Sequence, residues 1–290
     1  MKSYLYYPGC SLKGTGNMYE KSLLACFNAL GITVEELPDW NCCGATSYMS
    51  VNEKSAFGMA ARNISIAERE EMDILAPCSA CYMVLQKTQD YAAEYPALKR
   101  SLKRALAAVD LPFHGDRTRV VHPLYMLMEE YGIEAIEEKV IEKLKHFKVF
   151  PYYGCLIARP HAVNDDPVYP EAMDKMMKAI GCEVVEHSLK TRCCGGTITG
   201  TLTEVGMGLV QILLEEAHKK GANVIATLCP LCQFNLDAYQ TEIGKTFGKK
   251  YDIPVLYFTQ ILGLALGIPA VDLGLDQQIV SAKPLMAVTA

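Results

Sequence analysis

Cysteine is the side chain best suited to soft metals and to electron transfer, and this 290-residue chain carries twelve of them. Ten fall into one order that occurs twice. The first copy is Cys10, Cys42-Cys43 and Cys78-Ser79-Ala80-Cys81; the second is Cys155, Cys193-Cys194 and Cys229-Pro230-Leu231-Cys232. In both copies 34 residues (44–77 and 195–228) separate the adjacent pair from the C-x-x-C, and a glycine, Gly44 or Gly195, follows the pair. The interval before the pair differs modestly, 31 residues against 37. Five thiolates per copy point to a bound inorganic cluster and to chemistry that moves electrons.

Two simpler metal readings compete. Four-cysteine zinc sites typically use two C-x-x-C-type knuckles. Here one sulfur of each copy is left over, and adjacent cysteines fit poorly as two ligands of one small ion. An ordinary cubane takes four cysteines, usually with a tight C-x2-C-x2-C run, and that run is absent. Five cysteines from three separated loops suit an enlarged or opened iron–sulfur cluster, where adjacent sulfurs can reach different irons. Cys26 and Cys182 lie outside the repeat. At an offset of about 150 residues they fall on Met176 and Ile32, so both read as small buried apolar residues.

The elements that must position the sulfurs repeat with them. Ser3–Cys10 resembles Val149–Cys155 if Pro8 is taken as an extra residue, and each reads as a buried strand running into a glycine turn. Ala29-Leu30-Gly31 and Ala179-Ile180-Gly181 read as helix ends closed by glycine, with a strand after each. Asp73–Ala76 before Cys78 matches Val224–Thr227 before Cys229. Residues 18–30, 53–71, 170–180 and 204–219 carry apolar residues at helical spacing. Strands alternating with helices predict an α/β fold of two pseudo-symmetric, Rossmann-like halves with parallel strands. Each half would hold one cluster at the carboxyl ends of its strands, where loops converge. Residues 90–148 read as mostly charged helix punctuated by Pro96, Pro112 and Pro123. The boundaries expected are 1–147, 148–268 and a tail, 269–290, without clear period, suited to a docking arm or a disordered end.

Composition narrows the function class. Half the residues are apolar and 21% charged, and the net charge of -5 gives no general reason to expect nucleic acid, which would want a basic face. Met1-Lys2-Ser3 leads straight into Tyr4-Leu5-Tyr6-Tyr7-Pro8, too short for a signal core. The apolar stretch near Ile261–Ala270 is broken by Gly263, Gly267 and Pro269, so no transmembrane segment is expected. A cytoplasmic, reducing setting follows, where many cysteines mean metal or redox work rather than disulfides. Neither half carries G-x-G-x-x-G after its first strand, which argues against nucleotide binding.

These spacings and the Cys-Cys-Gly signature resemble the cysteine-rich CCG domain family, and within it the B subunits of heterodisulfide reductases. The resemblance spans residues 3 to about 268, including Tyr152-Tyr153-Gly154-Cys155 and Gln260-Ile261-Leu262-Gly263-Leu264-Ala265. It implies two noncubane [4Fe-4S] clusters. Cys10, Cys42, Cys43, Cys78 and Cys81 would hold one; Cys155, Cys193, Cys194, Cys229 and Cys232 would hold the other. It further implies that the clusters face a shared cavity and reductively cleave a small-molecule disulfide, each taking one sulfur. It implies as partners a ferredoxin-like [4Fe-4S] C subunit and a flavin-bearing A subunit of the same complex, from which electrons would arrive. The chain departs from the methanogen pattern in two places. Leu156 stands where a histidine is usual, and residues 195–200 are less glycine-rich. An alternative from the same family is an electron-relay component of a lactate- or glycolate-type oxidoreductase, which needs no substrate cavity.

Other residues carry weaker signals. Arg159 could meet a carboxylate, phosphate or sulfonate on the substrate, and His161 could donate a proton beside Cys155. His122, His187 and the cluster Met173, Met176 and Met177 read as structural. The Lys99–Arg104 charges read as a solvated helix face. Anaerobically purified protein is expected to carry about eight irons with matching acid-labile sulfide. About two zincs without sulfide would return the chain to a structural metalloprotein.

Overall fold

The computed structural model describes residues 3–45, 47–159 and 164–287. It contains two four-stranded sheets, each wholly parallel. The first joins β1 (Tyr4–Tyr6), β2 (Val34–Glu36), β3 (Asp73–Leu75) and β4 (Val120–Val121) in the order β2-β1-β3-β4. The second joins β5 (Lys148–Tyr152), β6 (Glu183–Val184), β7 (Val224–Thr227) and β8 (Val255–Tyr257) in the order β6-β5-β7-β8. The strand orders are the same, so the repeated cysteines mirror a repeated topology.

Burial explains why these segments became strands. The inner strands β1, β3 and β7 are buried at every position, as expected where helices cover both faces of a parallel sheet. The edge strands β2 and β6 leave Glu35, Glu36 and Glu183 exposed, charges that discourage pairing with another chain. The four helices read from periodicity are Asn17–Leu30, Glu53–Arg69, Ala172–Ala179 and Thr203–Lys219. Gly31 closes the first with a left-handed turn at φ 72°, its N–H returning to Asn28 and Phe27.

Residues 90–148 are more varied than their charge suggests. They finish the Ser79–Glu94 helix, form the Pro96–Ala107 helix, and contribute β4 before turning helical again from Pro123. The missed strand is only two residues long. It is held by Arg119, which donates to the Asp73 carboxylate through its backbone N–H and through Nε, both at 2.8 Å. The described part of the tail packs against the rest of the chain. Leu273, Leu275 and Leu285 are buried, Gln278 bonds Gln260 at 3.1 Å, and the Asp237 carboxylate accepts the amides of Ile279 and Val280.

One core runs through both halves. The Asn17–Leu30 helix packs on the Phe258–Ala265 helix: Tyr19 stacks on Tyr257 at 4.2 Å, and the hydroxyls of Ser22 and Thr259 bond at 2.7 Å. Cys26 is fully buried here, its thiol donating to the Thr259 carbonyl, and Cys182 and the three methionines are buried as well. Both cysteines serve as apolar packing, as their place outside the repeat suggests. Among the described residues no helix is long and apolar enough to cross a membrane.

His122 and His187 are structural in the same way. In each ring Nδ1 accepts the amide two residues on, so Nε2–H donates to a carbonyl, that of Pro77 for His122 and of Pro151 for His187. Burial holds both pKa values down to about 4. The unfolded chain binds these protons near pH 6.5 and the folded chain only near 4. Stability contributed by the neutral rings is therefore complete above 6.5 and lost as pH falls toward 4, up to roughly 3 kcal/mol per ring. Denaturant midpoints measured across that window are expected to drop, and the double variant His122→Gln, His187→Gln to flatten the slope. An unchanged slope in the variant would assign the acid sensitivity elsewhere.

Candidate metal centres and the cavity beside them

All ten repeated cysteines follow the carboxyl ends of strands, on the connecting loops or in the first turn of the helix that comes next. In the second half, β5 ends at Tyr152 and the chain turns at Gly154, with φ +74°, to present Cys155. A Cβ at Gly154 would lie 2.9 Å from the Cys232 sulfur, so the turn needs glycine for conformation and for room. Gly9 is its counterpart, with φ +61° and a Cβ position 3.0 Å from the Cys81 sulfur. These glycines align Tyr7 with Tyr152 and Pro8 with Tyr153. The first copy therefore has no extra residue, and the expectation that Pro8 is an insertion is corrected.

The glycine of the Cys-Cys-Gly signature has an equally local cause. Gly44 and Gly195 lie at φ +78° and +77°, and each donates its N–H back to the first sulfur of the pair, Cys42 at 3.5 Å and Cys193 at 3.3 Å. An added Cβ would meet the following helix, 2.9 Å from Ala56 Cα in one half and 3.1 Å from Gly206 Cα in the other. The C-x-x-C motifs open helices. Cys78 is the N-cap of Ser79–Glu94 and Cys229 that of Pro230–Ala238. Helix N-termini favour thiolate over thiol, the form that binds metal.

The second cysteine of each pair meets the C-x-x-C of its own half: Cys43 lies 3.3 Å from Cys81, and Cys194 lies 3.6 Å from Cys232. Cys155 bonds Cys193, and that bond holds the Cys193 thiol down to about 6 against burial, helped by the Gly195 amide and the Arg159 guanidinium. Under each set lies a tyrosine. Tyr7 donates to the Asn41 carbonyl at 2.8 Å, and Tyr152 to the Arg192 carbonyl at 2.6 Å, each pinning the residue before its cysteine pair. Asn235 fixes the Cys194 carbonyl at 2.6 Å. Around Cys155 a buried network adds rigidity. Lys190 pairs with Asp174 at 2.6 Å, Asp174 accepts Tyr153 at 2.6 Å, and the Lys190 carbonyl accepts the amides of Tyr153 and Gly154.

The two sets meet back to back. The Cys78 and Cys229 thiols interact across the boundary between the halves, and Ser79 donates to the Leu228 carbonyl at 3.3 Å. The stacked Tyr19 and Tyr257 rings lie against this junction with buried hydroxyls that find no partner among the described residues. A cavity of about 540 Å³ adjoins the second set. Its walls include Cys155, Cys193, Cys194, Cys229 and Cys232, with Met49, Val51 and Met83 from the first half opposite.

The residues fit an iron–sulfur group in each half. The donors are thiolates alone, the ligands such clusters prefer. The orphaned tyrosine hydroxyls beside Cys78 and Cys229 are donors without acceptors, which sulfur at the junction would satisfy.

Paired parallel sheets with cysteine-bearing turns at their strand ends define a protein of the iron–sulfur electron-transfer class. The chain belongs to the CCG cysteine-rich domain family, whose pattern it matches twice, over residues 4–86 and 149–237. It is 31% identical over 286 residues to the 8-methylmenaquinol:fumarate reductase membrane anchor subunit of Wolinella succinogenes, covering 98% of this chain and 99% of that one. It is 29% identical over 292 residues to the B subunit of the ferredoxin:CoB-CoM heterodisulfide reductase of Methanosarcina mazei, covering 99% and 97%. A protein of Archaeoglobus profundus, described as like the B subunit of heterodisulfide reductase, is 27% identical over 274 residues, covering 92% and 91%. Among solved structures, a hypothetical protein from Helicobacter pylori shares the fold with a TM-score of 0.77 at 13% identity. The match takes in 97% of this chain and 52% of that one, so the present chain spans about half its length.

Two sequence candidates fare differently. Arg159 is exposed, with Nη2 donating to the Thr191 carbonyl at 2.6 Å, and is not among the residues lining the cavity. His161 lies outside the described residues. Sequence reasoning missed Tyr7 and Tyr152, which an alignment of the halves without a gap at Pro8 would have paired. It also missed Met49, Val51 and Met83, which carry no local chemical signal. Gly154→Ala is expected to cost the second half its cluster, halving iron and sulfide per chain while circular dichroism stays unchanged. Full iron content in that variant would remove the steric argument.

Proposed function

We propose that this chain is the component of a cytoplasmic oxidoreductase complex at which a small-molecule disulfide is reductively cleaved. The observation that carries this reading is the cavity beside Cys155, Cys193, Cys194, Cys229 and Cys232. A cluster would fill the part of that space against the sulfurs, but a pure relay has no need of its extension to the apolar Met49, Val51 and Met83 of the other half. Noncubane [4Fe-4S] clusters held by the two cysteine sets would supply electrons one at a time, two together making the pair that a disulfide takes up with two protons. The protein's own part is to hold ten sulfurs rigidly and to tie the two sets together where Ser79, beside Cys78, donates to the Leu228 carbonyl beside Cys229. Met49, Val51, Met83, Leu156, Ile198 and Leu231 give the reacting space apolar walls. No nicotinamide or flavin motif serves as a source, so ferredoxin-like and flavin-bearing subunits would deliver the electrons. The Methanosarcina and Archaeoglobus relatives support this assignment.

The same apolar walls favour a second reading, in which a quinol gives up its electrons in the cavity. The Wolinella relative, named for a methylmenaquinol reaction, supports it. Cys194→Ser separates the outcomes. The variant is expected to lose one cluster by electron paramagnetic resonance and to lose disulfide turnover with it. Turnover at the normal rate after that loss would sink the paired-centre reading. Electron uptake from a menaquinol by the intact protein, with no disulfide turnover, would select the quinol.

A further inference from the structure

Six buried side-chain oxygens find no hydrogen-bond partner among the described residues, and two of them belong to one stacked pair. The rings of Tyr19, from the first half, and Tyr257, from the second, lie 4.2 Å apart and 9° from parallel, and both side chains are fully buried. A buried hydroxyl without an acceptor is costly, and two in one stack call for something that accepts both. Gly16 leaves room beside the Tyr257 hydroxyl. A Cβ there would stand 3.4 Å from that oxygen and 3.2 Å from the Pro230 Cβ, so the hydroxyl lies beside the first turn of the helix that Cys229 caps. Ser79 donates to the Leu228 carbonyl, which brings Cys78 to the same place. Burial, then the partner ring and the sulfurs of Cys78 and Cys229, opposes ionisation of Tyr19; burial, then Cys229, Cys78 and Cys232, opposes it at Tyr257. Both phenols therefore remain donors. The corresponding place in the first half shows what a packing residue does there. Leu75 pairs with Val121 three residues before Cys78, and Ala226 pairs with Leu256 three residues before Cys229, so His122 and Tyr257 occupy equivalent positions. His122 has both ring nitrogens bonded within the protein, whereas the Tyr257 hydroxyl has no partner among the described residues.

We infer that Tyr19 and Tyr257 donate to the sulfur of the iron–sulfur centres where the two halves meet, and thereby raise the reduction potentials of both centres together. This rests on the two cysteine sets holding such centres, and not on which substrate they serve. The cause is electrostatic. Reduction adds negative charge to the sulfurs of a centre, and a fixed donor stabilises the more negative form more strongly, all the more where burial excludes water. One stacked pair beside Cys78 of the first set and Cys229 of the second ties the two potentials to a single piece of local structure. The phenols neither give up a proton nor carry an electron in this role. They act through the sulfur, as positioning residues.

The test is a redox titration of anaerobically prepared holoprotein followed by electron paramagnetic resonance, with iron and acid-labile sulfide counted in every sample. Tyr19→Phe and Tyr257→Phe keep the stacked rings and remove one hydroxyl each. Both variants are expected to keep full iron and to lower both midpoints. The larger shift should make reduction about tenfold less favourable, or about 59 mV for a one-electron couple. The double variant is expected to fall further than either single one. Midpoints unchanged at full iron would overturn the proposal and leave the centres standing, and a shift confined to one centre would overturn the shared control. Should loss of a hydroxyl cost a centre outright, 3,5-difluorotyrosine in place of Tyr257 decides the matter, since it keeps ring and hydroxyl and strengthens the donor. It is expected to raise both midpoints, and midpoints that stay or fall would count against the pair. Parent protein that binds neither iron nor sulfide would remove the centres, and the proposal with them.

Discussion

Five sulfurs can surround one group only if three loops leave the same edge of a sheet, and a parallel sheet gives every strand-to-helix loop that edge. Most other features of the molecule serve this requirement. β1 and β5 must be buried on both faces, because helices cover the sheets on which the loops stand. Glycines must stand at 9, 44, 154 and 195, because the loops turn tightly against neighbouring sulfurs and helices. The cysteines at 78 and 229 begin helices, where amides and the helix dipole favour negative sulfur. Under the sulfurs, Tyr7 and Tyr152 brace the cysteine pairs from below with a single hydrogen bond each.

Much of this was legible in the sequence because it repeats. Cysteine spacing, the glycine after each pair and the apolar runs before Cys10 and Cys155 all report local backbone needs, and local needs leave local signatures. The fourth strand of each sheet left almost none. β4 is two residues held by Arg119 to Asp73, and β8 is three residues whose partner, β7, lies about thirty positions away. The cavity was illegible for the same reason. Its far wall comes from Met49, Val51 and Met83, residues that look like ordinary packing until the halves are brought together. The buried Lys190–Asp174–Tyr153 network was also silent, since its members are scattered across Tyr153, the 172–179 helix and the loop before Cys193.

Repetition also concealed a difference. Two halves of common topology suggest two identical surroundings, yet position 45 carries a methyl group that position 196 lacks, and Pro8 stands where the second half has Tyr153. Small substitutions at strand ends decide whether a loop presses on its own core or leaves space beside its sulfurs. In a duplicated fold such changes are cheap, because the partner copy continues to supply the shared structure.

The docked tail has a consequence for how the second set of sulfurs is kept in place. Leu273, Leu275 and Leu285 are core residues, and the amides of Ile279 and Val280 satisfy a buried carboxylate on the helix that begins at Cys229. A segment about forty residues from the nearest cysteine thus completes the packing of the helix that carries Cys232, and the rigidity of that sulfur is borrowed from a part of the chain with no chemistry of its own.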